Sequence, residues 1–259
     1  MLLVVDVGNT NIKLGLYKDE NLIDVCRMPS TRGYAVRDYA NLINQFITEE
    51  EGRVVSRACV CSVVKELTEV ICRALLEYLK IPFLNVDYKT KTNIKNCLKS
   101  PKEVGADRII NALSAYNLYH QKTCVVVDFG TATSFDVVTS NGEFLGGIIA
   151  PGLGLGAKAL SVFTSALPEI TIDHSKTFIG RNTETAMLSG LVRGHAKMID
   201  GLLYGIEQEL GESVLRISTG GHSMLLSQYL DKPFDYINPN LTLEGLRLVS
   251  QWNKFKKPK

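Results

Sequence analysis

Residues 2–8 read LLVVDVG, and residues 124–130 read CVVVDFG. Setting Asp6 on Asp128 also sets Gly8 on Gly130. Each copy is an apolar run of strand length that breaks at an acid and then a glycine. Each continues into a second apolar run, a polar turn (KDEN at 18–21, TSNGE at 139–143) and a third strand. Two short strands can look alike by chance. A duplication of roughly half the chain explains the shared sequel as well, and self-similarity is weighed before single motifs.

Working outward, strands and helices alternate. Val36, Tyr39, Ile43, Phe46 and Ile47 recur at helical spacing. Residues 54–64 read as a buried strand, followed by a helix through Leu67, Ile71, Leu75 and Leu79 and a strand over 82–86. A helix is expected over 106–120. In the second half, GGIIAPGLGLG at 146–156 reads as a glycine-rich loop feeding a helix over 158–166. A long helical pattern covers 183–210, a strand covers 214–218, and a last helix covers 241–252 with Asn240 as its N-cap. The tail KFKKPK reads as a solvated end. The expected fold class is α/β, in two similar halves, 1–116 and 117–259, with a cleft between them.

Composition narrows the class of function. The 259 residues are 45% hydrophobic, 22% charged and 8% aromatic, ordinary values for a folded chain. The net charge of +2 gives no footprint for nucleic acid or a membrane surface. No apolar run approaches the roughly 18 residues of a membrane span. The opening MLLVVDVGNT has no basic segment before its apolar run and reads as a first strand. Of the six cysteines only Cys59 and Cys61 are close, in a C-x-C spacing that reads as core thiols. A cytoplasmic protein is expected. His120, His174, His195 and His222 show no ligand spacing.

The chemistry sits at the strand ends. In Asp6-Val7-Gly8-Asn9-Thr10-Asn11, glycine permits a tight turn and lets backbone amides approach an anion. Asp6 can hold a hydrated Mg²⁺, which takes one or two carboxylates plus phosphate oxygens. Lys13 can meet a phosphate. Asp128-Phe129-Gly130-Thr131 is the partner loop, and two such loops facing each other would clamp a triphosphate. Two capped hairpin turns would carry the same residues. Ser218-Thr219-Gly220-Gly221-His222 is either an ordinary strand-to-helix turn or a platform for a flat ring. Asp107, in Gly105-Ala106-Asp107-Arg108, either caps a helix or accepts a proton from a substrate hydroxyl, with Arg108 gripping an anionic or carbonyl group.

Taken together, DVGNTNIKLG at 6–15, GADRI at 105–109, VDFGTATSFD at 127–136, GGIIAPG at 146–152, NTETAMLSG at 182–190 and STGGHS at 218–223 resemble type III pantothenate kinase. The motifs fall in family order along nearly the whole chain, and LTLEGLRL at 241–248 is similar to the family's C-terminal helix. The resemblance implies the duplicated actin-like ATPase (ribonuclease H-like) fold. It implies transfer of the ATP γ-phosphoryl group to the 4′-hydroxyl of pantothenate, the first step towards coenzyme A. Asp107 would be the general base. The run Asp6, Val7, Gly8, Asn9, Thr10, Asn11, Ile12 and Lys13 would cradle ATP with Mg²⁺ near Asp6, and Thr131, Gly220 and Gly221 would contact the nucleotide. Asp128 would hold K⁺ or ammonium. Gly105, Ala106, Asp107, Arg108 and Thr183 would contact pantothenate, in a homodimer.

One position departs from the family. Its members carry a tyrosine nine residues before the catalytic aspartate, where this chain has Leu98. Either the substrate pocket is remodelled or Tyr88 substitutes. Two other readings share the motifs: another small-molecule kinase of the same superfold, and a nucleotide-binding regulator that does not catalyse. A polymerising ATPase would need a longer chain.

Overall fold

The strand β1 (Leu2–Val7) takes hydrogen bonds on both edges, so its apolar run is buried from Leu2 to Val5. The computed structural model describes residues 1–49, 53–119 and 122–258. Its chain forms two compact units, Met1–Ser114 with Asn240–Lys259, and Ala115–Pro239.

In the first unit β1 pairs antiparallel with β2 (Asn11–Lys18), and β2 with β3 (Asn21–Pro29). Helix α1 (Val36–Thr48) follows, then β4 (Arg57–Ser62), which lies parallel to β1. Helix α2 (Lys65–Arg73) runs on as a π-helical turn over Ala74–Tyr78. The short β5 (Phe83–Asn85) lies parallel to β4, giving the order β3-β2-β1-β4-β5. A two-residue strand, β6 (Lys95–Asn96), precedes α3 (Ala106–Tyr119). The core beneath this sheet joins Leu3, Val5, Leu14 and Val60 to Tyr39, Ile43 and Phe46 of α1, the face its helical spacing predicts.

The second unit repeats the plan. Strands β7 (Cys124–Phe129), β8 (Ala132–Val138) and β9 (Glu143–Pro151) form an antiparallel run. Helices α4 (Leu153–Phe163), α5 (Thr183–Leu188) and α6 (Gly194–Leu210) follow, the last two joined by a π-helical turn over Ser189–Arg193. Strand β10 (Leu215–Gly220) lies parallel to β7. After α7 (Ser223–Leu226), β11 (Tyr236–Ile237) lies parallel to β10. The order β9-β8-β7-β10-β11 mirrors that of the first unit, strand for strand.

The division of the chain differs from 1–116 and 117–259 at its far end. Helix α8 (Leu241–Ser250) belongs to the first unit, where Leu241, Leu243, Leu246 and Val249 are buried. It crosses α3 closely. A Cβ on Gly245 would stand 2.5 Å from the Ile110 carbonyl oxygen. Thr242 Oγ1 donates to Asn111 Oδ1 (2.8 Å), and Ser114 Oγ donates to the Leu241 carbonyl (2.8 Å).

Other expectations are corrected as well. The sequence GLGLG is no loop: β9 runs to Pro151 and α4 starts at Leu153, because Leu153 and Ala157 form a buried face that outweighs the cost of helical glycines. Nor is the tail a solvated end. Phe83 and Lys256 exchange backbone hydrogen bonds, and the Phe255 ring lies under the Arg57 guanidinium. The expected strand over 54–64 shortens to β4. Cys59 and Cys61 are both fully buried on it, as core thiols should be.

Candidate active site

In the first unit the turn after β1 is stapled shut. Gly8 N donates to the Asn11 carbonyl at 3.0 Å, and a Cβ on Gly8 would stand 3.0 Å from that same oxygen. Ser30, just past β3, donates its hydroxyl to the Gly8 carbonyl (2.6 Å) and its N–H to the Thr10 carbonyl (3.0 Å). Asn9, Thr10 and Asn11 are exposed. Val7 and Ile12 are fully buried, so only their backbone can serve a ligand. Asp6, half-buried, lies in register between Lys13 on β2 and Cys61 on β4. Lys13 Nζ donates to Asn240 Oδ1 at 2.8 Å. This bond replaces the expected cap: Asn240 precedes α8, and its side chain makes no capping bond.

Asp107 is the second residue of α3. Its Oδ1 accepts from the Arg108 N–H (2.8 Å), so one of the N-terminal amides is satisfied locally. Burial raises its carboxyl above the ordinary carboxylate range, against the pull of that N–H and of the Arg108 charge. Burial also pushes the Cys61 thiol well up, and the charges of Asp6 and Asp107 push it further. The charges of both acids, about a hundred positions apart in sequence, thus act on the same buried thiol.

A pocket of about 630 Å³ opens beside Asp107. Gly105, Ala106, Val63, Asn85, Tyr88 and Lys102 help to line it. A Cβ on Gly105 would meet Asp107 Oδ1 at 2.5 Å and Val63 Cγ1 at 3.6 Å, so the carboxylate stands directly behind the pocket wall. Among the described residues Tyr88, half-exposed, lines this pocket and Leu98 does not. The lysine ammonium groups of Lys89 and Lys102 each lie 5.5 Å from the Tyr88 ring centre, at cation–π range.

In the second unit Gly130 N donates to the Ala132 carbonyl (3.1 Å), and Gly152 N to the Thr131 carbonyl (3.2 Å). Gly221 N donates to the Phe129 carbonyl (3.1 Å). Gly220 sits at φ +89°, and a Cβ there would stand 2.6 Å from both Asp128 Oδ1 and the Phe129 backbone. Asp128, the Gly130–Ala132 turn and the Gly220-Gly221 pair thus gather at one end of the sheet. Thr133 Oγ1 and His195 Nε2 share a hydrogen bond at 2.9 Å. Burial, with His222 adding to it, lowers the His195 pKa to about 4.

Thr183, exposed at the start of α5, lines a separate apolar pocket of about 570 Å³ with Leu160, Met187 and Leu191. Asn182 caps α5, its Oδ1 accepting from Thr185 N (2.8 Å). The segment before it is held by Arg193. That guanidinium lies 4.7 Å from the Phe178 ring centre and 5.0 Å from that of Tyr229, and donates to the Ser175 carbonyl (2.7 Å). Ser30, Asn85 and Arg193 carry no motif and escape sequence reading, and His195 is a satisfied, half-buried histidine, as its lack of ligand spacing suggests. His174 meets the Tyr229 hydroxyl (3.2 Å), and His120 lies outside the described residues.

The family model of type III pantothenate kinase matches residues 2–204. A protein of that name from Finegoldia magna is 40% identical over 259 residues, covering 98% of each chain. Among solved structures, the inorganic polyphosphate/ATP-glucomannokinase of an Arthrobacter strain superposes with a TM-score of 0.54 at 15% identity, covering 97% of this chain and 99% of its own. A candidate Baf family transcriptional activator from Campylobacter jejuni superposes with a TM-score of 0.59 at 20% identity, covering 97% and 98%. Those two likenesses concern the fold alone, the duplicated actin-like ATPase fold. On the family model and its near full-length relative, the chain belongs to the type III pantothenate kinase family.

Proposed function

We propose that this protein transfers the γ-phosphoryl group of ATP to the 4′-hydroxyl of pantothenate, the first step of coenzyme A synthesis. The observation that carries this reading is Asp107. It is a buried carboxylate with a raised pKa at a helix start, behind the wall of a pocket. An alcohol is a weak nucleophile. Asp107 accepts the hydroxyl proton as the new O–P bond forms and the bond from Pγ to the bridging oxygen of ADP breaks. Because phosphoryl transfer depends mostly on positioning and charge neutralisation, the remaining residues bind and orient.

Gly105, Ala106 and Arg108 hold pantothenate beside the base, with Tyr88 taking the place of the aromatic ring missing at Leu98. Thr183 adds a contact from the second unit's sequence. The stapled turn Gly8–Asn11 offers amides and short polar side chains to phosphates, with Val7 and Ile12 contributing backbone. Lys13, tied to Asn240, acts through charge rather than as a flexible arm. Thr131, Gly220 and Gly221 receive the nucleotide.

Asp6 is a hard oxygen donor of the kind Mg²⁺ takes, and the ion would neutralise phosphate charge there. Asp128, with Gly220 pressed against its carboxylate, is the corresponding donor for K⁺ or ammonium. Val162, Phe163, Phe178 and Ile179 of the second unit are 60%, 85%, 61% and 82% exposed, apolar surface that supports a homodimer. No helix of the described residues is long and apolar enough to cross a membrane. We place the enzyme in the cytoplasm.

The test is ADP release from Mg·ATP with and without pantothenate, in K⁺, ammonium and Na⁺, with a sugar and acetate as control acceptors. Pantothenate-dependent release, raised by K⁺ or ammonium, is expected. Release with a control acceptor alone, or ATP binding without release, overturns the reading.

A further inference from the structure

Two pocket-lining hydroxyls of the first unit already have partners. Thr68 Oγ1 donates to Ser62 Oγ (2.7 Å), and Ser62 Oγ to the Val64 carbonyl (3.2 Å). Asn85 differs. It ends β5, its place fixed by pairing with Val60 of β4, and Val86 N donates to the Val60 carbonyl just beyond it (2.8 Å). Its Oδ1 is buried and accepts no hydrogen bond among the described residues, yet Asn85 lines the pocket beside Asp107. A buried amide oxygen left unmade is costly, and a native structure keeps one for a reason.

We infer that Asn85 is a specificity-determining residue for the acceptor substrate, its side-chain oxygen accepting a hydrogen bond from a second donor on the alcohol that Asp107 deprotonates. This rests on the kinase reading above and adds to it the chemical class of the acceptor. The acceptor must carry, a few atoms from its reacting hydroxyl, another O–H or N–H. Pantothenate offers both, a secondary hydroxyl and an amide N–H. A plain alcohol lacking either would leave Asn85 unmatched. A site built to hydrogen-bond a substrate donor discriminates strongly against analogues without it, because its own polar group is then stranded.

The experiment compares wild type with Asn85→Leu and Asn85→Asp, reading kcat, the KM for each substrate, pantothenate binding by calorimetry without ATP, and Tm. Leu fills the same space with no acceptor, whereas Asp keeps one. Asn85→Leu should raise the KM and Kd for pantothenate about 10-fold, the size of one hydrogen bond. The KM for ATP should stay within about 2-fold, and Tm should hold or rise, since an orphaned acceptor has been removed. Asn85→Asp should recover much of the lost affinity. A pantothenate analogue without the secondary hydroxyl and one with an N-methylated amide tell the two donors apart. The analogue that loses nothing further in Asn85→Leu has lost the donor that Asn85 meets.

Pantothenate KM and Kd unchanged in Asn85→Leu overturn the inference while leaving the kinase intact. A fall in Tm with every kinetic constant worsened overturns it too, because the amide is then held by water and serves the fold. If wild type phosphorylates a different alcohol and Asn85→Leu weakens that alcohol, the subsite stands and the choice of pantothenate falls. Wild type that neither binds nor phosphorylates any alcohol overturns both.

Discussion

The two sheets share one strand order, but their strand ends have diverged. After β1 the turn keeps four residues between Val7 and Ile12; after β7 it keeps three, between Phe129 and Thr133. Asp6 therefore faces Lys13 in register, and Asp128 faces Ser134. The parallel strands end differently as well. Val63 N and Gly221 N make the same bond to the strand beside them, each at 3.1 Å. Yet the position before them is Ser62 in one unit and Gly220, at φ +89°, in the other. At the helix that closes each repeat, α3 begins with Ala106-Asp107, whereas α8 follows Asn240, whose amide accepts from Lys13. Duplication supplied the frame twice. An acid stands second in the closing helix of one copy only, Asp107 against Thr242 in the other, and a glycine is packed against Asp128 where the first copy has Ser62.

The largest effect should come from the residue without a counterpart. Asp107→Asn is expected to lower turnover by ~10²–10⁴-fold with ATP affinity little changed, as steady-state kinetics and nucleotide titration would show. Full turnover in that variant would remove the base from this copy. Gly220→Ala adds a Cβ against Asp128 and Phe129 at a backbone angle that L-residues rarely adopt. It should cost about 2 kcal/mol or more in denaturant unfolding, while Ser62→Ala in the matching place should cost less than about 1 kcal/mol. Equal costs would erase the contrast between the strand ends.

Two pH effects follow. Asp107 must be ionised to accept a proton, and burial raises its pKa. The acid limb of kcat/KM should therefore lie above the ordinary carboxylate range, and an acid limb at the ordinary value would count against the burial. The smaller effect belongs to the second unit. Burial lowers the His195 pKa from the ordinary 6.5 to about 4 in the folded chain. Between those values the unfolded chain binds more protons, so stability is complete above the upper one and is lost as pH falls towards the lower. With the partial exposure of the ring discounted, the loss should be about 1–2 kcal/mol, and His195→Gln should flatten the slope.

Much of the frame was legible because central strands leave a strong trace. The apolar runs LLVV at 2–5 and CVVV at 124–127 are buried throughout, and an acid can follow such a run only where the strand leaves the core. The helix through Tyr39, Ile43 and Phe46 was legible for the same reason. Asp6, Asp107 and Asp128 stood out as acids at element ends. What escaped depends on contacts between distant segments. The leucine face of α8 suits either unit, and it is assigned by the fit of Gly245 on Ile110 and by the hydrogen bonds of Thr242 and Leu241 to α3. The glycines at 152, 154 and 156 resembled a loop because their spacing hid the buried pair Leu153 and Ala157. Asn85 sits inside an ordinary apolar run, where one polar residue gives no pattern to read.

The return of α8 bears on how the molecule is made. The second unit is one uninterrupted stretch, Ala115–Pro239, whereas the first is assembled from two pieces that flank it. During synthesis β1 to β5 leave the ribosome early but wait for Leu241–Ser250, which arrives only after the whole second unit has emerged. Domains tend to fold as units in order of their emergence. Here the later-made unit is the first that can be completed, and the half that holds Asp107 is closed last.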